Sequence, residues 1–130
     1  PNWVALSKPL SESKLGLICT GGIYVTGQTA FHFKDDTTYR AIPTDVDTSE
    51  LRATHFAYDL TDARKDINVV FPIEQLRTMI NENSLGSLAS NAYTLMGGIY
   101  STRRVIEELI PALVDRVLAD EVDVVLLVPV

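Results

Sequence analysis

One hundred and thirty residues suit a single domain, and a chain of this length typically buries about two-thirds of its unfolded surface. With 46% hydrophobic and 22% charged residues the composition is that of a globular protein, which counts against disordered, collagen-like and disulfide-rich classes. The net charge of −6 argues against nucleic acid as a partner, since phosphate binding needs clustered Lys and Arg, and the single cysteine, Cys19, excludes an internal disulfide.

Pro1 to Lys14 is polar and reads as an arm without chemistry. Leu15 to Thr20 is a short apolar run of strand formers closed by Gly21-Gly22, and predicts the first buried strand. Ala30 to Asp47 predicts a hairpin or irregular excursion, and Thr48 to Leu51 a short helix capped by Ser or Thr. Leu60 to Asp66 predicts a polar turn or single helical turn. Pro72 suits the first position of a helix, in which Ile73, Leu76 and Ile80 recur at helical spacing until Asn81 to Gly86. Leu88 to Met96 predicts another strand, ending at Gly97-Gly98.

Ser101 is placed to cap a helix whose Val105, Ile106, Leu109, Ile110, Leu113, Val114, Val117 and Leu118 form a wide apolar stripe, kinked at Pro111. From Val122 to Val130 only Asp123 and Pro129 break an apolar run, the pattern of a central strand buried on both faces of a parallel sheet. Strand, helix 101–120 and strand 122–130 make a βαβ unit with parallel strands. The expected fold is therefore α/β, a mostly parallel sheet with flanking helices that ends in a central strand, as a truncated domain would. The exits Thr20-Gly-Gly-Ile-Tyr24 and Met96-Gly-Gly-Ile-Tyr100 predict similar local geometry. No span approaches the roughly 18 apolar residues of a membrane helix and no signal peptide is visible, so the cytoplasm is the expected compartment, although a chain starting at Pro1 is compatible with a lost N-terminal segment.

A Gly-Gly pair after a strand frees backbone amides to face an anion, and the helix starting near Ser101 adds a positive dipole end, so Gly21, Gly22, Gly97 and Gly98 are candidate substrate-binding positions. The plainer alternative is a pair of tight turns. His55, with Tyr58 and Asp59 close behind, concentrates proton-transfer groups within five residues and is the candidate catalytic cluster, against the alternative of a histidine that caps a turn. Asp59, Asp62, Arg64 and Asp66 are candidates to orient a substrate or position His55, against the alternative of a solvated surface or a capped helical turn. Cys19 is a candidate nucleophile only if its pKa is lowered, and its apolar strand neighbours favour a core role. His32, between Phe31 and Phe33, is expected to pack. The histidines and Cys19 lack metal-ligand spacing, so no metal is expected.

Several stretches together resemble one family, the selenoprotein B subunits of the glycine, sarcosine, betaine and D-proline reductases and their shorter relatives. They are Thr20-Gly21-Gly22, Tyr39-Arg40-Ala41-Ile42-Pro43, Thr54-His55 with Tyr58-Asp59, Asp66-Ile67-Asn68-Val69-Val70-Phe71-Pro72, and the terminal Val124-Val-Leu-Leu-Val-Pro-Val130. The block from His55 to Pro72 is the most specific. The resemblance implies an oxidoreductase that reductively cleaves a carbon–nitrogen bond of a small amino acid or derivative, with a selenocysteine or cysteine in the loop right after the final strand. It also implies a pyruvoyl group, often on a partner subunit, and electrons from a dithiol such as a thioredoxin system. This chain has neither selenocysteine nor cysteine there, so what is implied is the scaffold of the site without its nucleophile, with Asp66 and Asn68 holding the loop.

Because selenocysteine is encoded by UGA, the expectation is that such a codon follows Val130 and that these residues are an inactive N-terminal part of a longer subunit. On this reading the partners are a small amine substrate, other reductase subunits and a dithiol donor, in a homo- or hetero-oligomer. Two rivals stand beside it. One is a non-catalytic assembly or small-molecule binding protein that buries the last strand and the stripe of helix 101–118 against another subunit. The other is a thiol enzyme of racemase type using Cys19.

Overall fold

The computed structural model describes residues 3–130. Its spine is strand β1 (Lys14–Cys19). One edge of β1 pairs in parallel with an interrupted strand, β5 (Ser87–Leu88) followed by β6 (Asn91–Leu95), and its other edge pairs in parallel with β7 (Val124–Val128). Beyond β6 lies β3 (Tyr39–Pro43), antiparallel to it. A separate two-stranded antiparallel sheet joins β2 (Ile23–Val25) to β4 (Leu51–Ala53). The architecture is α/β with a mostly parallel main sheet flanked by helices, as the alternation of strand and helix patterns predicts.

Alternate residues of β1 serve opposite faces, as a pleated strand requires. Leu15, Leu17 and Cys19 join a core with Ile42, Phe71, Ile73 and Leu76. Ile18 turns the other way and packs with Tyr93, Leu95, Leu109 and Leu113. The first face is covered by α2 (Ile73–Asn81), the second by a continuous helix of α3 (Thr102–Arg104), a π turn (Val105–Leu109) and α4 (Ile110–Ala119). A short helix, α1 (Thr61–Lys65), precedes α2. No helix among the described residues is long and apolar enough to cross a membrane.

The kink expected at Pro111 takes the form of the π turn immediately before it. Proline offers no N–H and its ring collides with the carbonyl four residues back, and a single wide turn relieves that collision. Ser101 Oγ caps the helix by accepting from the Arg104 amide at 3.4 Å. Pro72 caps α2 rather than opening it, and the helix begins at Ile73. The turn at Thr48–Glu50 is a 3-10 turn capped by Asp47, whose carboxylate accepts from the Ser49 amide at 2.9 Å, so neither Ser nor Thr is the cap.

Of the two alternatives for segment 30–47 the irregular excursion holds: there is no hairpin, residues 30–38 carry no regular element, and the strand Tyr39–Pro43 pairs with β6, far away in sequence, where Ile42 is fully buried in the core. Two expectations fail outright. The two glycine exits differ, since positive φ falls on the second glycine of the first pair, Gly22, and on the first glycine of the second, Gly97. Most consequential, β7 is an edge strand and not a central one. It pairs with β1 alone, and Leu126 and Leu127 are 36% and 64% exposed. An unbroken apolar run fixes the chemistry of a strand but not how many neighbours it has.

Phe71, packed in the core with residues of β1 and α2, is the largest fully buried side chain among the described residues. Phe71→Ala should destabilise the protein by about 3–5 kcal/mol, read as a fall in the midpoint of urea or thermal unfolding followed by circular dichroism.

Candidate active site

The carboxyl ends of parallel strands are where open α/β sheets gather reacting groups, and here three such ends meet. β1 runs into Thr20-Gly21-Gly22, β6 into Met96-Gly97-Gly98, and β7 into Pro129-Val130. Thr20 ties them together. Its amide donates to the Val128 carbonyl at 3.0 Å, its hydroxyl accepts from the Val130 amide at 2.9 Å, and a Cβ on Gly97 would lie 2.8 Å from its own Cβ. Gly97, at φ +73°, is thus required both by conformation and by space.

Over these ends lies the segment 54–58. Thr54 donates its amide to the Gly22 carbonyl at 3.0 Å, and the Thr54 carbonyl fills the place a Gly22 Cβ would take. Tyr58 donates its hydroxyl to the Gly21 carbonyl at 2.8 Å. A Cβ on Gly21 would come within 3.4 Å of that hydroxyl and of the Val130 side chain, and one on Gly98 would strike the Phe56 ring at 2.5 Å. The glycines therefore act by admitting the 54–58 segment against bare backbone.

That approach seals His55. It is 5% exposed, tilted against Tyr58 at 4.7 Å between ring centroids and stacked on Phe56 at 5.7 Å. Its Nδ1 accepts from the Ala57 amide at 3.0 Å, which leaves the proton of the neutral ring on Nε2. Nε2 is buried without a hydrogen-bond partner among the described residues. Burial pulls the pKa of the imidazole below its ordinary value, against the smaller opposing pull of the Met96 and Thr20 backbone. His55 is thus a neutral ring offering one unspent donor at the strand ends. Burial likewise raises the pKa of Tyr58, keeping its phenol protonated.

The other sequence candidates are dispersed. Asp59 is exposed and accepts from the Thr61 amide and hydroxyl at 2.9 and 2.7 Å, opening α1. Those bonds, the hydroxyl first, hold its pKa below the ordinary carboxylate value. Asp66 accepts from the Asn68 side chain and amide, which lowers its pKa, while Asn68 exchanges bonds of 2.9 and 3.0 Å with Glu74. This network fastens the turn before α2, and it borders an open cavity of about 730 Å³, where Asp66 and Asn68 line a wall with Tyr24, Arg52 and Arg64. His55 does not line that cavity. Cys19 is fully buried and its thiol is pushed up to about 12 by burial, the reverse of what a nucleophilic thiol requires. His32, expected to pack, is exposed, and its neighbour Phe31 is buried instead, under the Arg40 guanidinium at 4.3 Å.

The amides before the 102–119 helix are already engaged. Asp35 accepts from the Tyr100 and Ser101 amides at 2.7 and 3.0 Å, so the anion at that end is the protein's own. No group of three or more His, Cys, Asp or Glu among the described residues is placed to hold a metal.

A family model for glycine/sarcosine/betaine reductase selenoprotein B matches residues 5–130. The chain belongs to that family. It is also 31% identical over 127 residues to the D-proline reductase subunit gamma of Acetoanaerobium sticklandii, a match covering 98% of this chain and 52% of that protein. The chain thus spans about half the length of that relative. No solved structure matches it.

Membership makes this chain part of a reductase-subunit family, and the strand ends become the natural place to seek its site. Two functional candidates escaped the sequence. Thr20 carried a signal, a hydroxyl at the strand exit beside two glycines, whereas Asp35 carried none, because its partners lie some 65 residues away in sequence.

The depressed His55 pKa has a thermodynamic consequence. An unfolded histidine binds a proton near its ordinary value of about 6.5 while the folded one resists it, so its contribution to stability is complete above that value and is lost as pH falls through the folded pKa. Denaturation midpoints measured from pH 7.5 to 5.5 should therefore fall for the wild type and fall less for His55→Gln. Parallel slopes would contradict the geometry.

Proposed function

We propose that this chain is the N-terminal part of a reductase subunit that cleaves the carbon–nitrogen bond of a small amino acid or derivative of the glycine, sarcosine, betaine or D-proline type. The carrying observation is the unspent Nε2–H of buried His55 at the strand ends, close to Val130 through Thr20, Gly21 and Tyr58. A selenol or thiol immediately after Val130 would supply the nucleophile, and a pyruvoyl group on a partner subunit would activate the substrate amine. The overall change replaces the carbon–nitrogen bond by carbon–hydrogen and nitrogen–hydrogen bonds, while a dithiol, such as that of a thioredoxin system, becomes a disulfide.

The residues of this chain fit such a site without forming it alone. Neutral His55 donates from Nε2 to an acceptor on the substrate or leaving group, and so orients it rather than acting as a strong acid. Tyr58 fixes the Gly21 carbonyl and closes one side. Thr20 holds the Val130 amide, which sets the direction in which the following residue leaves the strand. Asp59, Asp66 and Asn68 act at a distance by fixing α1 and the turn before α2. The work is done in the cytoplasm, in an assembly with other reductase subunits, and residues 1–130 by themselves are inactive.

The test uses the full-length subunit with its partner subunits, assayed for dithiol-dependent reduction of D-proline, glycine, sarcosine and betaine. One of the four should be turned over, and His55→Gln should lower kcat by about 100-fold with the fold retained by circular dichroism. Sequencing past the Val130 codon should find UGA or a cysteine codon. No turnover of any of the four, or an unaffected His55→Gln, would defeat the proposal.

A further inference from the structure

The helix on the second face of the sheet carries more apolar surface than its own core uses. Leu109, Leu113 and Val117 face the sheet, yet Ile106, Ile110, Val114 and Leu118, at four-residue spacing, are 60%, 47%, 47% and 70% exposed. Beside them, Ile18 and Val125 complete an apolar hollow of about 200 Å³ with Leu113, Val114, Val117 and Leu118. Leu127 stands on the same face of β7, because it is in register with Ile18 of β1, and is 64% exposed. The outer edge of β7 has no strand partner among the described residues. A groove walled by a helix, floored by a strand and ending at an open parallel edge is the half-built socket of a βαβ unit.

The topology says which occupant fits. From β1 the chain crosses to the β5–β6 side through α2, on the face of Leu15 and Leu17; from β6 it crosses back past β1 to β7 through the 102–119 helix, on the face of Ile18. Opposite directions on opposite faces are what a constant right-handed crossover demands. A further parallel strand added outside β7 continues in the second direction, so its crossover helix must lie on the Ile18 face, in the groove beside Val114 and Leu118. The matched relative is about twice as long as this chain, which covers 52% of it.

We infer that the groove of Val114, Leu118, Val125 and Leu127 seats an amphipathic helix of the second half of the reductase subunit, followed by a strand that pairs in parallel with β7. This rests on the proposed continuation beyond Val130, but not on the reaction. The added strand would end at the same edge of the sheet as Val130 and His55, so the second half would also supply one rim of the site.

Single cysteines placed at Leu118 and Leu127, with Cys19 buried as an internal silent thiol, report the groove by their rate of reaction with a maleimide, followed peptide by peptide by mass so that the selenol or thiol proposed after Val130 does not contribute, and Val69→Cys, at an exposed position outside the groove, serves as control. Leu118→Cys and Leu127→Cys should react at the control's rate in the 130-residue chain and slower by about tenfold or more in the full-length subunit. Fast labelling in both forms would overturn the inference. So would slow labelling in the 130-residue chain together with a dimeric mass by sedimentation, which would assign the groove to a second copy. Because the readout is accessibility, an inactive full-length protein with protected cysteines would sink the proposed reaction while leaving the groove's occupant standing.

Discussion

The closeness of the Thr54 carbonyl to the Gly22 backbone is the constraint on which the rest of the site depends. No residue with a Cβ could stand at Gly22 without displacing Thr54, and the positive φ of that glycine is uncommon for any other residue. The hydrogen bond from Thr54 to the Gly22 carbonyl then continues the small β2–β4 sheet up to the end of β1. His55 follows directly, so its burial is a consequence of where a glycine allows the backbone to go. Tyr58 repeats the arrangement one residue earlier in the exit from β1, closing on Gly21. Two adjacent glycines thus carry a small antiparallel sheet onto the end of a large parallel one, and the histidine is caught at the join.

This explains which parts of the protein are legible from its residues. Elements governed by local pattern are plain: the apolar run of β1 closed by two glycines, the Ile73, Leu76 and Ile80 spacing of α2, and the long stripe from Val105 to Leu118 are set by composition and periodicity within a few neighbouring residues. β2, β4 and the pairing of β3 with β6 are not, since three residues such as Ile23–Val25 carry too little periodicity and their partners lie far along the chain. The position of β7 is hidden for a different reason. Apolar residues at nearly every place suit a central strand, and equally an edge strand whose neighbour is elsewhere.

The site shows the same division. His55, Tyr58, Gly21 and Gly22 are brought together because their motifs mark positions where the backbone itself must be special. Asp59, Asp66 and Asn68 are as polar and as close in sequence, yet they serve as caps and turn fasteners, roles that short acidic and amide side chains fill wherever amides are left free. Residue type alone separates the two groups poorly; what separates them is whether a neighbouring backbone has room to spare. The family resemblance marks the segment from His55 to Pro72 as a whole, while the division of labour inside it comes from packing.

An unpaired buried donor is destabilising, and so is an apolar groove left open to water. Both occur here at the flanks of the same strand, β7, whose backbone is anchored to Thr20 at the site and whose Val125 and Leu127 form the floor of the groove. A strand added to β7 would stiffen it along its length and, through the Thr20 hydroxyl, fix the point at which the chain leaves Val130. The acceptor for His55 and the cover for Leu127 would then arrive with one structural event. In such an arrangement the donor is set in advance by the glycines, independent of the chemistry, and completing the sheet is what brings the chemistry to it.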